Sequence, residues 1–101
     1  MKLKVFSIRD AKVEAFMQPF FSQTTGSGIR LFTDSIEGPQ NGFSKHPEDY
    51  ALFELGEFDQ ETGLLSPHPQ PKSLGGAMEY MASNAFKDLQ MNSADRASQQ
   101  Q

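Results

Sequence analysis

The segment YALFELGEF, Tyr50 to Phe58, constrains the fold more than any other part of the chain. Strand alternation puts apolar side chains on both of its sides, with Tyr50, Leu52 and Phe58 on one and Ala51, Phe53 and Leu55 on the other. A strand that is apolar on both faces is typical of the centre of a sheet. Pro47 precedes it, and DQETG after it predicts a tight turn in which Gly63 adopts a positive φ. We therefore predict an antiparallel sheet of three or four strands around this segment.

Two further elements have clear local signals. KLKVFSI, Lys2 to Ile8, is rich in branched and aromatic residues and predicts the first strand. The segment TTGSGIRLFTDSIEGP predicts a helix over residues 26–37, which Thr25 or Ser27 can cap and which the final glycine and proline end. The apolar face of this helix combines Ile29, Phe32, Thr33 and Ile36. The sequence thus predicts an α+β fold, with the sheet packed on one main helix.

The segment DAKVEAFMQPFF, Asp10 to Phe21, fits two structures. Val13, Phe16 and Phe20 follow helical spacing, but alternate residues also fit a strand. Pro19 would break the helix near its end. We therefore favour a turn at Asp10–Lys12 followed by an extended edge segment, in which a proline is tolerated.

The C-terminal third has weaker signals. A short return strand is predicted at Leu64–Ser66, and PHPQP, residues 67–71, is predicted to be an extended linker. The α+β domain is therefore predicted over residues 1–72, an amphipathic helix over 73–91, and a flexible, disordered tail over 92–101. The stripe of that helix consists of Leu74, Met78, Met81, Ala85 and Leu89. Exposed methionines adapt to varied partners, so Met78, Met81 and Leu89 are predicted to bind another protein.

The composition limits the class of protein. With 101 residues, of which 37% are apolar, the chain can form one small domain with a modest core. It has no cysteine, which excludes disulfides, thiolate nucleophiles and cysteine-ligated zinc. No apolar run is long enough to cross a bilayer, and MKLKVFSIRD lacks the apolar region of a signal peptide. We therefore expect a cytoplasmic protein without membrane contact.

The net charge of −4 is unevenly distributed. The first 33 residues carry five cations against two acids, whereas residues 34–63 carry one cation against eight acids. An acidic chain is not a general polyanion binder, but cations interleaved with aromatic rings are typical of single-strand binding. The residues predicted to bind nucleic acid are Lys2, Lys4, Arg9, Lys12, Phe16, Phe20 and Arg30. The phenylalanines among them are equally candidates for the core.

No catalytic or metal site is predicted. The acids between Asp49 and Glu61 do not converge in the predicted strand and turn, so a solvated rim is favoured over a metal site. His46 has no serine or cysteine nucleophile at a recognisable elbow, and His68 falls in the predicted linker. TGSGIR lacks the Lys-Ser/Thr ending of a phosphate-binding loop, so helix capping is favoured there. We predict no cofactor and no enzymatic activity.

Three segments in order, VFSIRDAKVEAFMQPFF, GIRLFTD and HPEDYALFELGEFDQETG, resemble the small nonstructural protein of gokushovirus-type microviruses. These viruses are tailless phages with circular single-stranded DNA genomes. The resemblance covers about Met1 to Ser73, and HPEDY followed by GEFDQETG is its most specific part.

The resemblance implies a protein made in the infected bacterium and absent from the virion. It further implies a role in viral DNA replication, or in the switch from double-stranded copying to single-stranded genome packaging, and DNA binding is suggested for some members. No catalytic residues come with it. The predicted function is thus a nonenzymatic phage accessory protein in the host cytoplasm that binds single-stranded DNA weakly, with a homodimer doubling its basic patch. The alternatives are a module that binds replication or procapsid proteins without touching DNA, and an enzyme acting on nucleotides or nucleic acid.

Overall fold

The computed structural model describes residues 1–37 and 42–83 and has the predicted α+β class, with one five-stranded antiparallel sheet. The strands are β1 (Lys2–Asp10), β2 (Ala15–Phe16), β3 (Phe20–Ser22), β4 (Tyr50–Asp59) and β5 (Leu65–Gly76). The helices are α1 (Thr25–Glu37) and α2 (Gly42–Lys45), with a 3₁₀ turn at Pro47–Asp49 and a helical segment over residues 77–83.

The prediction of a central strand is confirmed. β4 lies between β1 and β5, and β1 pairs on its other edge with both β2 and β3. The predicted extended edge segment is also confirmed, because β2 and β3 flank the interruption that contains Pro19. The tight turn after β4 has the expected glycine, since Gly63 has a φ of 76° and its N–H donates to the carbonyl of Asp59.

Helix α1 begins one residue earlier than predicted, and its cap is a different residue. The N–H of Ser27 donates to Oγ1 of Thr24 at 3.0 Å, and the N–H of Thr24 donates to Oγ of Ser27 at 3.1 Å. This reciprocal pair satisfies two donors at the helix start. Neither Thr25 nor Ser27 is therefore the N-cap residue, and the side chain of Thr25 is free for the contact described below.

The core lies between α1 and one face of the sheet. Phe32 and Ile36 of α1 pack on Phe6 and Ile8 of β1 and on Leu52 of β4, and all five are buried. Gly28, one turn before Phe32, lies against the ring of Phe6 and allows the helix to approach the sheet closely. The core is small, as the composition predicts.

The return strand predicted at Leu64–Ser66 is confirmed, but it continues far past Ser66, and the predicted proline linker over residues 67–71 is wrong. Residues 65–76 form a single strand, β5, which pairs with the edge of β4 that would otherwise have unpaired backbone groups. The extended backbone that proline favours is also strand backbone, and an edge strand tolerates the missing N–H donors. The backbone pairing of β5 with β4 is interrupted between Pro67, which is opposite Gly56, and Lys72, which is opposite Glu54. Residues 68–71 therefore have no backbone register partner on β4.

The predicted helix over 73–91 is wrong in its first four residues, which belong to β5. Gly75, with a φ of 119°, precedes the start of the helical segment 77–83. Ala77 is fully buried in the core, and the hydroxyl of Tyr80 donates to the carbonyl of Leu74. Residues 84–101, including Leu89 and the predicted tail, lie outside the described residues. The domain boundary at residue 72 stays a prediction, although the ordered core continues past it.

Candidate functional site

Two of the predicted DNA-binding cations already have carboxylate partners. Nζ of Lys4 lies 2.6 Å from Oε1 of Glu57, and Nζ of Lys2 lies 4.0 Å from Oε2 of the same residue. The hydrogen bond with Glu57 raises the pKa of Lys4, and the same bond lowers the pKa of Glu57. A DNA phosphate would therefore have to compete with Glu57 for Lys4.

The remaining predicted DNA contacts do not form one patch. Phe20 stacks on the buried ring of Phe6 at a centroid distance of 5.4 Å, on the side of the sheet that faces α1. Arg9 and Phe16 are register partners, and alternation puts them on the opposite side from Phe6. Lys12 lies in the turn after β1, and Arg30 is exposed on α1. The structure brings Arg9 and Phe16 together and leaves the others apart.

The side of the sheet away from α1 is apolar, and we call it the open face. Alternation along β1 and the strand register assign it Leu3, Val5, Phe16, Phe21, Phe53, Leu55, Phe58 and Leu65. Ring contacts support this assignment, since Phe16 meets Phe53 edge to face at 5.4 Å and Phe21 meets Phe58 at 5.7 Å. Among the described residues, α1 packs on the Phe6 side, and Phe43 of α2 contacts Tyr50 there too. The open face is therefore without a helical layer within that part of the chain.

A groove of about 460 Å³ lies at one end of the open face, and we call it the end groove. Its walls come from the end of β1, the 3₁₀ turn, β4 and the start of the helical segment 77–83. The residues that give it chemical character are Arg9, Glu48, Asp49, Phe53, Met78 and Glu79. An apolar floor with three acids and one cation at its rim favours a positively charged ligand that also has an apolar group.

The predicted partner-binding methionines differ in exposure. Met78 is 53% exposed and lines the end groove. Met81 is half-buried and packs against the core, so it contributes to stability in this structure. The third predicted residue, Leu89, lies outside the described residues. Met78 is therefore the member of the set that is available to a partner in the described part of the chain.

The HPED motif forms an exposed cluster at the rim. One ligand atom from each of His46, Glu48 and Asp49 lies within 4.8 Å of the others, and Nδ1 of His46 is 3.9 Å from Oε1 of Glu48. Pro47 begins the 3₁₀ turn that brings them together, and the N–H of Asp49 donates to the carbonyl of His46. Exposed acidic clusters of this kind are common without a bound ion. The exposure of the cluster and these distances therefore do not by themselves identify a metal site.

A buried carboxylate is the feature that sequence reasoning missed. Glu54 is 4% exposed, not part of a solvated rim. Its Oε1 accepts from the hydroxyl of Thr25 and its Oε2 contacts Nε2 of His68, both at 2.6 Å. Burial raises the pKa of Glu54, but the hydrogen bonds from Thr25 and His68 and the charge of Lys4 outweigh it and lower the pKa overall. The sequence held one signal for this burial. Strand alternation puts Glu54 on the same side of β4 as Tyr50 and Leu52, and that side faces the core.

The comparison with protein families decides the origin of the chain. The model of the family described as Phage ORF5 protein matches residues 3–80, which include the described strands, except Lys2 of β1, and all of α1. The chain belongs to the Phage ORF5 protein family. No curated protein and no solved structure matches it.

The family match places these features within a phage protein. The open face, the end groove and Glu54 with both of its partners all fall inside the matched residues of the Phage ORF5 family. Across the described residues, no helix has the length and apolar character needed to span a membrane.

Proposed function

We propose that this Phage ORF5 family protein is a nonenzymatic accessory protein of viral DNA replication, or of the switch to single-stranded genome packaging, in the cytoplasm of the host bacterium. It acts by binding another phage or host protein at the end groove. The finer assignment, to the small nonstructural protein of gokushovirus-type microviruses, rests on the resemblance of HPEDY and GEFDQETG. The observation that carries the proposal is the groove itself, with Met78 exposed at its edge.

The chemistry of the end groove suggests the class of partner. Glu48, Asp49 and Glu79 outnumber Arg9, so the rim attracts a basic segment. Phe53 and Met78 supply apolar contact area, and methionine adapts its shape to different side chains. A lysine- or arginine-containing segment with one large apolar anchor fits both features. Such segments are common in proteins that handle nucleic acid.

Charge reversal at the rim tests the proposal. The tagged protein is purified from infected cells as wild type, as the double variant Glu48→Lys, Glu79→Lys, and as the control Asp34→Lys. Asp34 is exposed on α1, away from the groove. We expect the wild type and the Asp34 variant to retain the same co-purifying protein and the rim variant to lose it. The same set of partners in all three preparations would reject the end groove as the binding site.

The absence of catalysis has its own test. His46→Ala removes the exposed histidine of the HPED motif, and phage growth should be unchanged because the proposed function uses no catalytic histidine. Plaque counts compare this variant with wild type. A well-folded His46→Ala protein that abolishes phage growth would favour an enzyme.

Weak single-stranded DNA binding is the second candidate function, and one observation favours it. Phe16 is 44% exposed beside its register partner Arg9, so one base can stack on the ring while the guanidinium meets a phosphate. Binding should weaken as salt rises, with a slope set by a few phosphate contacts. A fluorescence-anisotropy titration with a labelled single-stranded oligonucleotide measures it.

Charge reversals distinguish a local DNA site from general attraction. Arg9→Glu with Lys12→Glu should abolish binding, whereas Arg30→Glu, on α1, should leave it nearly unchanged. An equal loss of DNA binding in the Arg30→Glu variant would indicate general electrostatic attraction without a local binding site. No binding at high micromolar protein would leave protein binding as the sole proposed activity.

A further inference from the structure

The open face has fewer polar side chains than a solvated sheet face normally has, since the strand register assigns it Ser7, Arg9 and Ser73. Antiparallel sheets with one wet face alternate apolar and polar residues, so that one side of each strand is polar. Here Phe21 of β3 and Leu65 of β5 are 45% and 63% exposed on the open face, although Val5 of β1 is buried within its own chain. Exposed apolar patches of this extent mark contact surfaces. The face is therefore suited to being covered by protein.

The size of the open face reaches the lower limit for a specific interface. β1 has nine residues, so the face is about 30 Å long, and four strand positions make it roughly 19 Å wide. Two copies packed face to face would bury on the order of 1,200 Å² in total, which is the lower end of the range for specific interfaces.

The shape of the open face is complementary to the same face on a second copy of the chain. A groove of about 320 Å³ is lined mainly by Val5, Pro19, Leu55, Leu65 and Pro67, and almost all of its wall is apolar. The half-exposed ring of Phe21 pairs in register with Val5, so it projects beside this groove. A two-fold axis makes each copy offer both parts, the projecting ring and the groove that receives it.

The charges on the open face and the prolines of the edge strand β5 both favour contact between the open faces of two copies. Among the outward-alternating residues of β1, Arg9 is the charged one, so two acidic chains can meet here without opposing their carboxylates. Pairing through the sheet edge is disfavoured, because Pro67, Pro69 and Pro71 remove three N–H donors from β5. Face-to-face packing is the arrangement that both features leave available.

We propose that two copies of this chain form a homodimer by packing their open faces together, with the ring of Phe21 of each copy entering the apolar groove of the other. Phe21 and Leu65, which anchor the proposed dimer, do not line the end groove, so variants at these positions test the dimer separately from the partner proposed for that groove.

Sedimentation velocity on the full chain tests the dimer. We expect the wild type at tens of micromolar to sediment with twice the chain mass of 11.3 kDa. Phe21→Glu and Leu65→Glu should each weaken the dimer about thirtyfold or more, the ratio expected for a buried anchor at an interface. Leu31→Glu is the matched control, since Leu31 is an apolar residue on α1 with 47% exposure, and it should remain dimeric.

Each outcome decides the question. Circular dichroism and thermal unfolding establish that the variants are folded, and Leu65→Glu replaces Phe21→Glu if the latter unfolds. A wild type that is monomeric at all concentrations up to several hundred micromolar overturns the dimer and leaves the end groove proposal intact. Folded Phe21→Glu and Leu65→Glu proteins that remain dimeric would also overturn it. The rim variant Glu48→Lys, Glu79→Lys should still dimerise.

Discussion

Nε2 of His68 lies 2.6 Å from Oε2 of Glu54, and this contact joins the unpaired segment of β5 to the middle of β4. The other carboxylate oxygen accepts from Thr25 at the start of α1. One buried side chain therefore connects a helix and two strands. Its contact with His68 requires a hydrogen on Nε2, which both the neutral Nε2 tautomer and the imidazolium supply.

Removing the histidine should destabilise the fold. His68→Ala leaves one oxygen of a buried carboxylate without its partner, and we expect it to lower the free energy of unfolding by about 1–3 kcal/mol. Urea denaturation measures the change. His46→Ala is the matched control, because that histidine is 65% exposed and its loss should stay within about 0.5 kcal/mol. Equal effects from both histidines would show that the contact with Glu54 is not stabilising.

The lowered pKa of Glu54 predicts how stability depends on pH. A carboxyl whose pKa is lower in the folded than in the unfolded state stabilises the fold above the unfolded pKa, about 4.5 for glutamate. That stabilisation is lost as pH falls through the folded pKa. The difference in free energy of unfolding between wild type and Glu54→Gln should therefore be largest near pH 6 and shrink towards pH 3.

Urea denaturation at several pH values between 3 and 6 checks this prediction. Asp34→Asn is the control, because it removes an exposed carboxylate of α1 and its curve should follow that of wild type. A difference between wild type and Glu54→Gln that stays constant over this range would contradict the ionised, hydrogen-bonded state of Glu54.

The sequence predicted the parts of the fold whose signals are local. Apolar residues on both sides located β4, branched and aromatic residues located β1, and the glycine turn and the apolar face of α1 were also predicted. Most of β5 was not predicted, because its pairing with β4 is a tertiary effect that overrides a composition typical of linkers. The contact between Glu54 and His68 could not be predicted for the same reason, since it depends on where the unpaired segment of β5 folds back. The end groove likewise combines residues from three separate stretches of the chain, 9–11, 47–53 and 73–79.

Gly28 should resist substitution although it lies within a helix. A Cβ atom at this position would come within 2.6 Å of both Cε atoms of Phe6, a fully buried ring. We expect Gly28→Ala to lower the free energy of unfolding by about 1–3 kcal/mol, because overpacking exceeds the gain in helix propensity. Gly26→Ala is the control, since the nearest atom to its added Cβ is 3.9 Å away, and it should be neutral or stabilising. Thermal unfolding compares the two, and a neutral Gly28→Ala would imply that α1 can shift away from the sheet.

The position at which the ordered domain ends can be tested by truncation, and the structure predicts a different result from the composition. A chain ending at residue 76 lacks Ala77, which is fully buried, and Tyr80, whose ring meets Phe32 edge to face at 5.8 Å. It also loses the hydrogen bond from Tyr80 to the carbonyl of Leu74. We expect the 1–76 chain to be less stable than the 1–83 chain by about 3 kcal/mol or more, which is a large part of the 5–15 kcal/mol of a typical domain. Urea denaturation of both truncated chains gives the comparison. Equal stabilities would return the boundary to residue 72 and assign the helical segment 77–83 to partner binding alone.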